Sequence, residues 1–175
     1  MMSSPPAASP QALLRRLLSG VARVFVVPVS ADGQLLLHRH ESDRHCYWTY
    51  PTMQRGTMRT DPATVARRLL REELGAESGV LRLVHVLPAA RTHARSAVYA
   101  ASLDLPAAEI LAAREATGTS RRALQGLAVT AETLVALDVR PLAINDLMTT
   151  GGIPARTLLA LPDLADPAST VNQPG

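Results

Sequence analysis

The sequence predicts an α+β fold, with helices packed on a mixed β-sheet, and three observations carry that expectation. Short apolar runs of strand length recur along the chain, one strongly punctuated helix interrupts them, and the two signals follow no regular βαβ alternation. That irregularity argues for a sandwich rather than a doubly wound parallel sheet.

At 175 residues and 47% apolar content, the chain can bury one good core but not two. A single domain is expected over residues 13–162. The Ser- and Pro-rich opening "MMSSPPAASP" and the stretch from Asp163 to Gly175 read as tails, over residues 1–12 and 163–175.

The elements follow in order. "VARVFVVPVS", the turn at Asp32-Gly33 and "QLLLHRH" read as a hairpin, followed by the short aromatic segment "CYWTYP". "DPATVARRLLREELG" is the clearest helix, with Asp61 as N-cap, Pro62 at the first helical position and Gly75 just past the end. "VLRLVHVLP" and "SAVYAASLDL" read as strands separated by a polar turn, and "AAEILAAREATG" as a short helix. "TLVALDVRPL" reads as a final strand leading into the helical pieces "INDLM" and "ARTLLAL".

Composition narrows the function classes. The single cysteine, Cys46, rules out an internal disulfide framework, so a reducing cytoplasmic compartment is expected. No apolar run approaches the roughly 18 residues that span a bilayer, so no membrane association is expected. All 18 basic residues are arginine, but the net charge is only +3 and aromatics make up 3% of the chain, so a nucleic-acid surface is not expected either.

The clearest helix poses a charge problem at its C-terminal end. At 100° per residue, Val65, Ala66, Leu69 and Leu70 share one arc, and Glu73 falls within it, on the side that should be buried. A carboxylate there must be desolvated or paired, and the negative end of the helix disfavours it further. A divalent metal with oxygen ligands, or an arginine from another element, would reverse both effects. Alternatively, the last turn frays and Glu72 and Glu73 both point into water.

The run Arg68-Leu69-Leu70-Arg71-Glu72-Glu73-Leu74-Gly75-Ala76 resembles the second half of the Nudix box, G-x5-E-x7-R-E-U-x-E-E-x-G-U with U a bulky apolar residue. The upstream hairpin, Trp48 and Pro51, and the downstream strands resemble the usual Nudix order, from about Val21 to Met148. The resemblance implies a Nudix-like α/β/α sandwich around a mixed β-sheet. It implies an enzyme that hydrolyses a diphosphate linkage in a nucleoside diphosphate derivative or similar small molecule, with Mg²⁺ or Mn²⁺ as cofactor. It also implies Glu72 and Glu73 as metal ligands, Glu72 doubling as the residue that positions water, and Arg68 orienting them.

The departures from the box are Gln54 at its opening glycine, Thr60 at its first glutamate and Leu69 at the glutamate after the arginine. They leave open a catalytically reduced Nudix-fold protein that binds a nucleotide-like ligand or a protein partner. Substitute acids for the missing carboxylate would come from Glu41, Asp43, Asp104, Glu132 or Asp138. The Trp48-Thr49 pair also resembles the isopentenyl-diphosphate isomerase branch, but "YPTMQRG" lacks the cysteine and histidine which that branch places there.

Three arginines, Arg39, Arg91 and Arg95, are candidates for phosphate contact, Arg39 at a strand end and the other two in the turn that also holds His93. His38 and His40 should share one face of their strand. With His45 and Cys46 they lack the spacing of a structural zinc site. No G-x-S-x-G elbow supports a serine hydrolase. The sequence is compatible with a homodimer.

Overall fold

Strand β1 (Arg23–Val29) is apolar on both sides, and the architecture explains why. In the computed structural model, which describes residues 9–56, 59–90, 94–117, 123–128, 134, 136–149 and 158–166, β1 runs through the middle of an eight-stranded sheet. It pairs in parallel with β6 (Ser96–Leu103) over its whole length, from Arg23↔Ser96 to Val29↔Ser102. Beyond β6 lies antiparallel β5 (Ser78–Leu87).

The other edge of β1 is divided. It meets β2 (Gln34–Ser42) at Val29↔Leu35, and its first residues pair instead with β4 (Thr52–Gln54), from Arg23↔Gln54 to Phe25↔Thr52. β2 meanwhile turns to β3 (His45–Thr49), from His38↔Thr49 to Ser42↔His45, and β3 pairs in parallel with β8 (Val139–Arg140). β7 (Ala123–Ala128) covers the other edge of β2. The sheet therefore splits into a β1–β4 arm and a β2–β3–β8 arm, with the chain crossing between them at Tyr50-Pro51.

Alternation sends successive β1 residues to two cores. Val24 and Val26 join Leu36, Ala97, Tyr99 and Ala101 under helix α2 (Pro62–Leu69), its continuation Leu70–Leu74, and α3 (Ala107–Thr117). Phe25, Val27 and Val29 join Leu35, Leu37, Val98 and Ala100 against α4 (Leu142–Thr149) and Leu158. Helices on both faces of a mixed sheet make the sandwich that the sequence predicts. No helix among the described residues is long and apolar enough to cross a membrane.

Local chemistry fixes the joints. In the β1–β2 turn, Asp32 accepts hydrogen bonds from the Ser30 hydroxyl and, at 2.9 Å, from the Ala107 amide. These bonds hold Asp32 below the usual carboxylate range and give α3 an N-terminal cap. Gly33 takes φ +80° there, a conformation that favours glycine.

Three expectations need correction. Helix α1 (Pro10–Ser19) begins inside the stretch expected as a tail, because Ser9 caps it and Pro10 starts it. The strand expected over "TLVALDVRPL" is confined to Val139–Arg140, with Leu134 and Ala136 helical. β7 carries no expectation at all, since Gln125-Gly126 interrupts its apolar alternation. Where described, the C-terminal stretch is fastened to β5: the Leu164 amide bonds the Leu83 carbonyl at 3.0 Å, and Asp163 accepts the Leu83 amide at 3.2 Å.

Candidate functional site

The helix that carries the two glutamates starts as the sequence predicts. Asp61 accepts the Thr64 amide at 3.2 Å, Pro62 opens the first turn, and Val65, Ala66 and Leu69 are buried. From Leu70 to Leu74 the backbone widens into a π-turn, closed by Gly75 at φ +62°. Such wide turns often occur at functional sites because they re-aim side chains.

Glu73 turns inward. Its Oε2 lies 3.3 Å from Nε2 of His38, which is only 1% exposed, while Glu73 itself is 32% exposed. Arg114 of α3 is also buried; burial pushes its pKa down, and the charge of Glu73 opposes that shift. The carboxylate at the unfavourable helix end thus faces the His38 ring and the charge of an arginine from another element, Arg114. Glu72 turns outward, 3.7 Å from Nε of Arg68 one turn earlier. Arg68 is held against β4 by contacts of 3.2 and 3.1 Å to Sδ of Met53.

Leu69 is fully buried in the core beneath α2 and is part of the packing there rather than of a polar site. Glu41 pairs with Arg39 on the surface, Asp43 and Asp104 are exposed, Asp138 belongs to the cleft described below, and Glu132 lies outside the described residues. No group of three His, Cys, Asp or Glu side chains suited to a metal occurs among the described residues. The two glutamates are balanced by Arg68 and Arg114, leaving no net negative charge to attract a divalent cation. The donor set therefore does not fit a Nudix-type Mg²⁺ site.

The divergence of β1 from β2 creates a second candidate. A cleft of about 740 Å³ lies between the two arms, with Arg23 and Thr52 on one side and His40, Thr49, Asp138 and Arg140 on the other. Nε2 of His40 is 2.9 Å from the Thr49 hydroxyl, and the His40 ring stacks on Tyr47 with centroids 4.7 Å apart. The Arg140 guanidinium sits 4.7 Å from the centre of the same Tyr47 ring. Arg140 donates to Asp138 at 2.8 and 3.1 Å, and His45 lies 2.7 Å from it; these bonds, Arg140's first, hold Asp138 below the usual carboxylate range. Arg23 has no ion pair or side-chain hydrogen bond among the described residues.

Of the arginines expected at phosphate, Arg39 points away from this cleft, pairing with Glu41 at 3.4 Å and contacting Sγ of Cys46. Arg95 donates to the Leu17 carbonyl at 3.3 Å, tying β6 to α1. Arg91 lies outside the described residues. The sequence reading missed Arg23 and Arg140; the available signal was an arginine two residues before Phe25 at the mouth of an otherwise apolar strand.

Comparison with known structures places this architecture. A MutT structure, from a study of the Aliivibrio salmonicida and Vibrio cholerae proteins, matches with TM-score 0.50 and 13% identity over 76% of this chain and 96% of that one. The E. coli ORF135 protein matches with TM-score 0.51 and 18% identity over 79% and 94%. The fold is Nudix-like. A chain from Sinorhizobium meliloti 1021, provisionally named an oxidoreductase, also matches, with TM-score 0.52 and 17% identity over 84% of this chain but only 43% of that one. No family model and no curated protein sequence matches. At these identities the similarity establishes the Nudix-like fold and nothing further about the activity.

Proposed function

We propose that this chain is a Nudix-fold protein that binds a small molecule carrying a diphosphate, of the nucleoside diphosphate type, and that its metal-dependent hydrolysis is reduced or lost. The observation that carries this reading is the fate of Glu73, which turns inward to the His38 ring and the charge of Arg114 over a helix whose Leu69 is part of the core. The ligand occupies the cleft between the arms, where Arg23 has no ion-pair partner among the described residues and the bonded pair His40 and Thr49 forms part of the opposite wall. The half-buried cysteine, Cys46, is compatible with the cytoplasm.

The deciding experiment is calorimetric titration with ADP-ribose in EDTA and in Mg²⁺, alongside a phosphate-release assay. Binding of equal strength in both buffers, without turnover, is the expected result. Binding that requires Mg²⁺ and is accompanied by hydrolysis would sink it.

One observation favours the second reading, Nudix-type hydrolysis with Mg²⁺ or Mn²⁺. Arg68 and Glu72 stand paired on the exposed face of the helix, in the relation that the box resemblance implies. Under that reading Glu72 and Glu73 hold the metal, and Glu73→Gln abolishes Mg²⁺-dependent release from nucleoside diphosphate derivatives.

A further inference from the structure

One carboxylate on the wall of the cleft answers two nitrogen donors. Arg140 grips both oxygens of Asp138, with Nε 3.1 Å from Oδ1 and a terminal nitrogen 2.8 Å from Oδ2. His45 meets the same Oδ2 at 2.7 Å, and its Nε2 lies 3.3 Å from that terminal nitrogen of Arg140. An ionised carboxylate only accepts hydrogen bonds, so Nε2 of His45 carries a proton toward it. Asp138, held below the usual carboxylate range by Arg140 first and then by His45, stays ionised throughout the range in which histidines titrate. The charge of the trio is therefore set by the other ring nitrogen of His45, Nδ1. With Nδ1 bare, the trio is neutral. With Nδ1 protonated it carries a net positive charge, and two cations 3.3 Å apart share one oxygen.

The residues of the trio are not equally free to respond. His45 is tied to β2 by its register with Ser42 and by the Ser42 hydroxyl, which donates to the His45 carbonyl at 3.2 Å. Arg140 has a long side chain on the wall of the cleft, and its guanidinium rests 4.7 Å from the centre of the Tyr47 ring, a seat that does not depend on Asp138. Among the described residues, the other titratable groups around His45 are Tyr47, whose ring lies 5.9 Å away, Glu41 and Cys46, both in contact with Arg39, and the exposed turn residues Asp43 and Arg44. The second histidine of this wall, His40, bonds the Thr49 hydroxyl at 2.9 Å instead.

We propose that Arg140 is a second anion-binding residue of the cleft and that His45 is the positioning residue that releases it. When His45 takes up a proton it holds Asp138 by itself, and the Arg140 guanidinium turns to the anion that Arg23 attracts. This inference rests on the binding reading above and adds its control by pH. Linkage is reciprocal, so the bound anion in turn favours the proton on His45. Histidine changes charge between about pH 5 and 8, and binding strengthens as pH falls through that interval.

Calorimetric titration of the full chain with ADP-ribose in EDTA, at about pH 5.5 and about pH 8, tests it. Neither phosphate of this probe changes charge between those values. His45, Asp138 and Arg140 are all partly exposed, so the expected gain is moderate, about fivefold tighter binding at the lower pH. His45→Gln should bind at both pH values as wild type does at the higher one. His45→Lys, a permanent cation at an exposed position, should bind at both as wild type does at the lower one. Arg140→Gln should lose the gain, and His40→Gln should keep it whatever its affinity; all four variants should retain the wild-type circular dichroism spectrum. A wild-type affinity that ignores pH, a pH dependence that survives His45→Gln or Arg140→Gln, or one that is lost in His40→Gln overturns the inference and leaves the binding reading standing. If ADP-ribose binds at neither pH, both fall.

Discussion

The end of α2 and the cleft between the sheet arms both concentrate charge, yet they treat it in opposite ways. At the helix end, Glu72 and Glu73 each face a cation supplied by the protein, one at the surface and one in the interior. In the cleft, Asp138 is matched by Arg140 and His45 while Arg23 stands without a described partner. A charge that the fold has already answered contributes to structure. A charge left open beside a cavity is available to a ligand.

The strongest way to break this contrast is to restore the carboxylate that the Nudix box would place at Leu69. Leu69→Glu puts an acid at a fully buried position in the apolar core, and is expected to cost about 4 kcal/mol or more, read by urea denaturation. A folded variant of near-normal stability that gains Mg²⁺ affinity would show that the helix end is an open site after all.

The next largest effect separates the two neighbouring glutamates. Glu73→Ala removes the carboxylate that faces His38 and Arg114; the loss should be about 1–3 kcal/mol, below the value for a fully enclosed pair because Glu73 is partly solvated. Glu72→Ala removes only a surface pair and should change stability by less than about 0.5 kcal/mol. Similar losses for the two would remove the distinction between an inward and an outward glutamate.

A subtler test concerns acid. Because Asp138 has a lowered pKa in the fold, its contribution is present above the unfolded value near about pH 4 and is lost as pH falls through the folded one. Asp138→Asn should therefore flatten the loss of stability below that pH, followed by circular dichroism. An acid limb identical to wild type would mean that Arg140 and His45 do not hold the carboxylate in solution.

Much of this was legible in the sequence where the signal is local. Asp61, Pro62 and Gly75 announce the helix because caps act over three or four residues, and the apolar arc of Val65, Ala66 and Leu69 announces its buried face. The same periodicity identified Glu73 as a carboxylate in need of a cation. It could not say which, because His38 and Arg114 are 35 residues before and 41 residues after it, and only the sheet register and the packing of α3 bring them together. The cleft was illegible for the same reason. Arg23 and Arg140 face one space only because β1 leaves β2 after Val29↔Leu35, and no spacing along the chain encodes that parting. The two-residue β8 shows a further limit: Leu134 and Ala136 have strand-like neighbours in sequence, yet both are helical, and parallel pairing with β3 captures only Val139 and Arg140.

The crossover at Tyr50 determines how any ligand is accommodated. Its hydroxyl donates to Asn145 of α4 at 2.7 Å, and Asn145 in turn donates to the Val139 carbonyl at 2.8 Å, all in the interior. Burial raises the phenol above its ordinary value, so the donor keeps its proton throughout the physiological range. The crossover, the start of β8 and the helix carrying Ala143 are thereby pinned as one rigid frame. The walls of the cleft at Thr49, Asp138 and Leu142 are therefore joined to one another through the core rather than only across its surface.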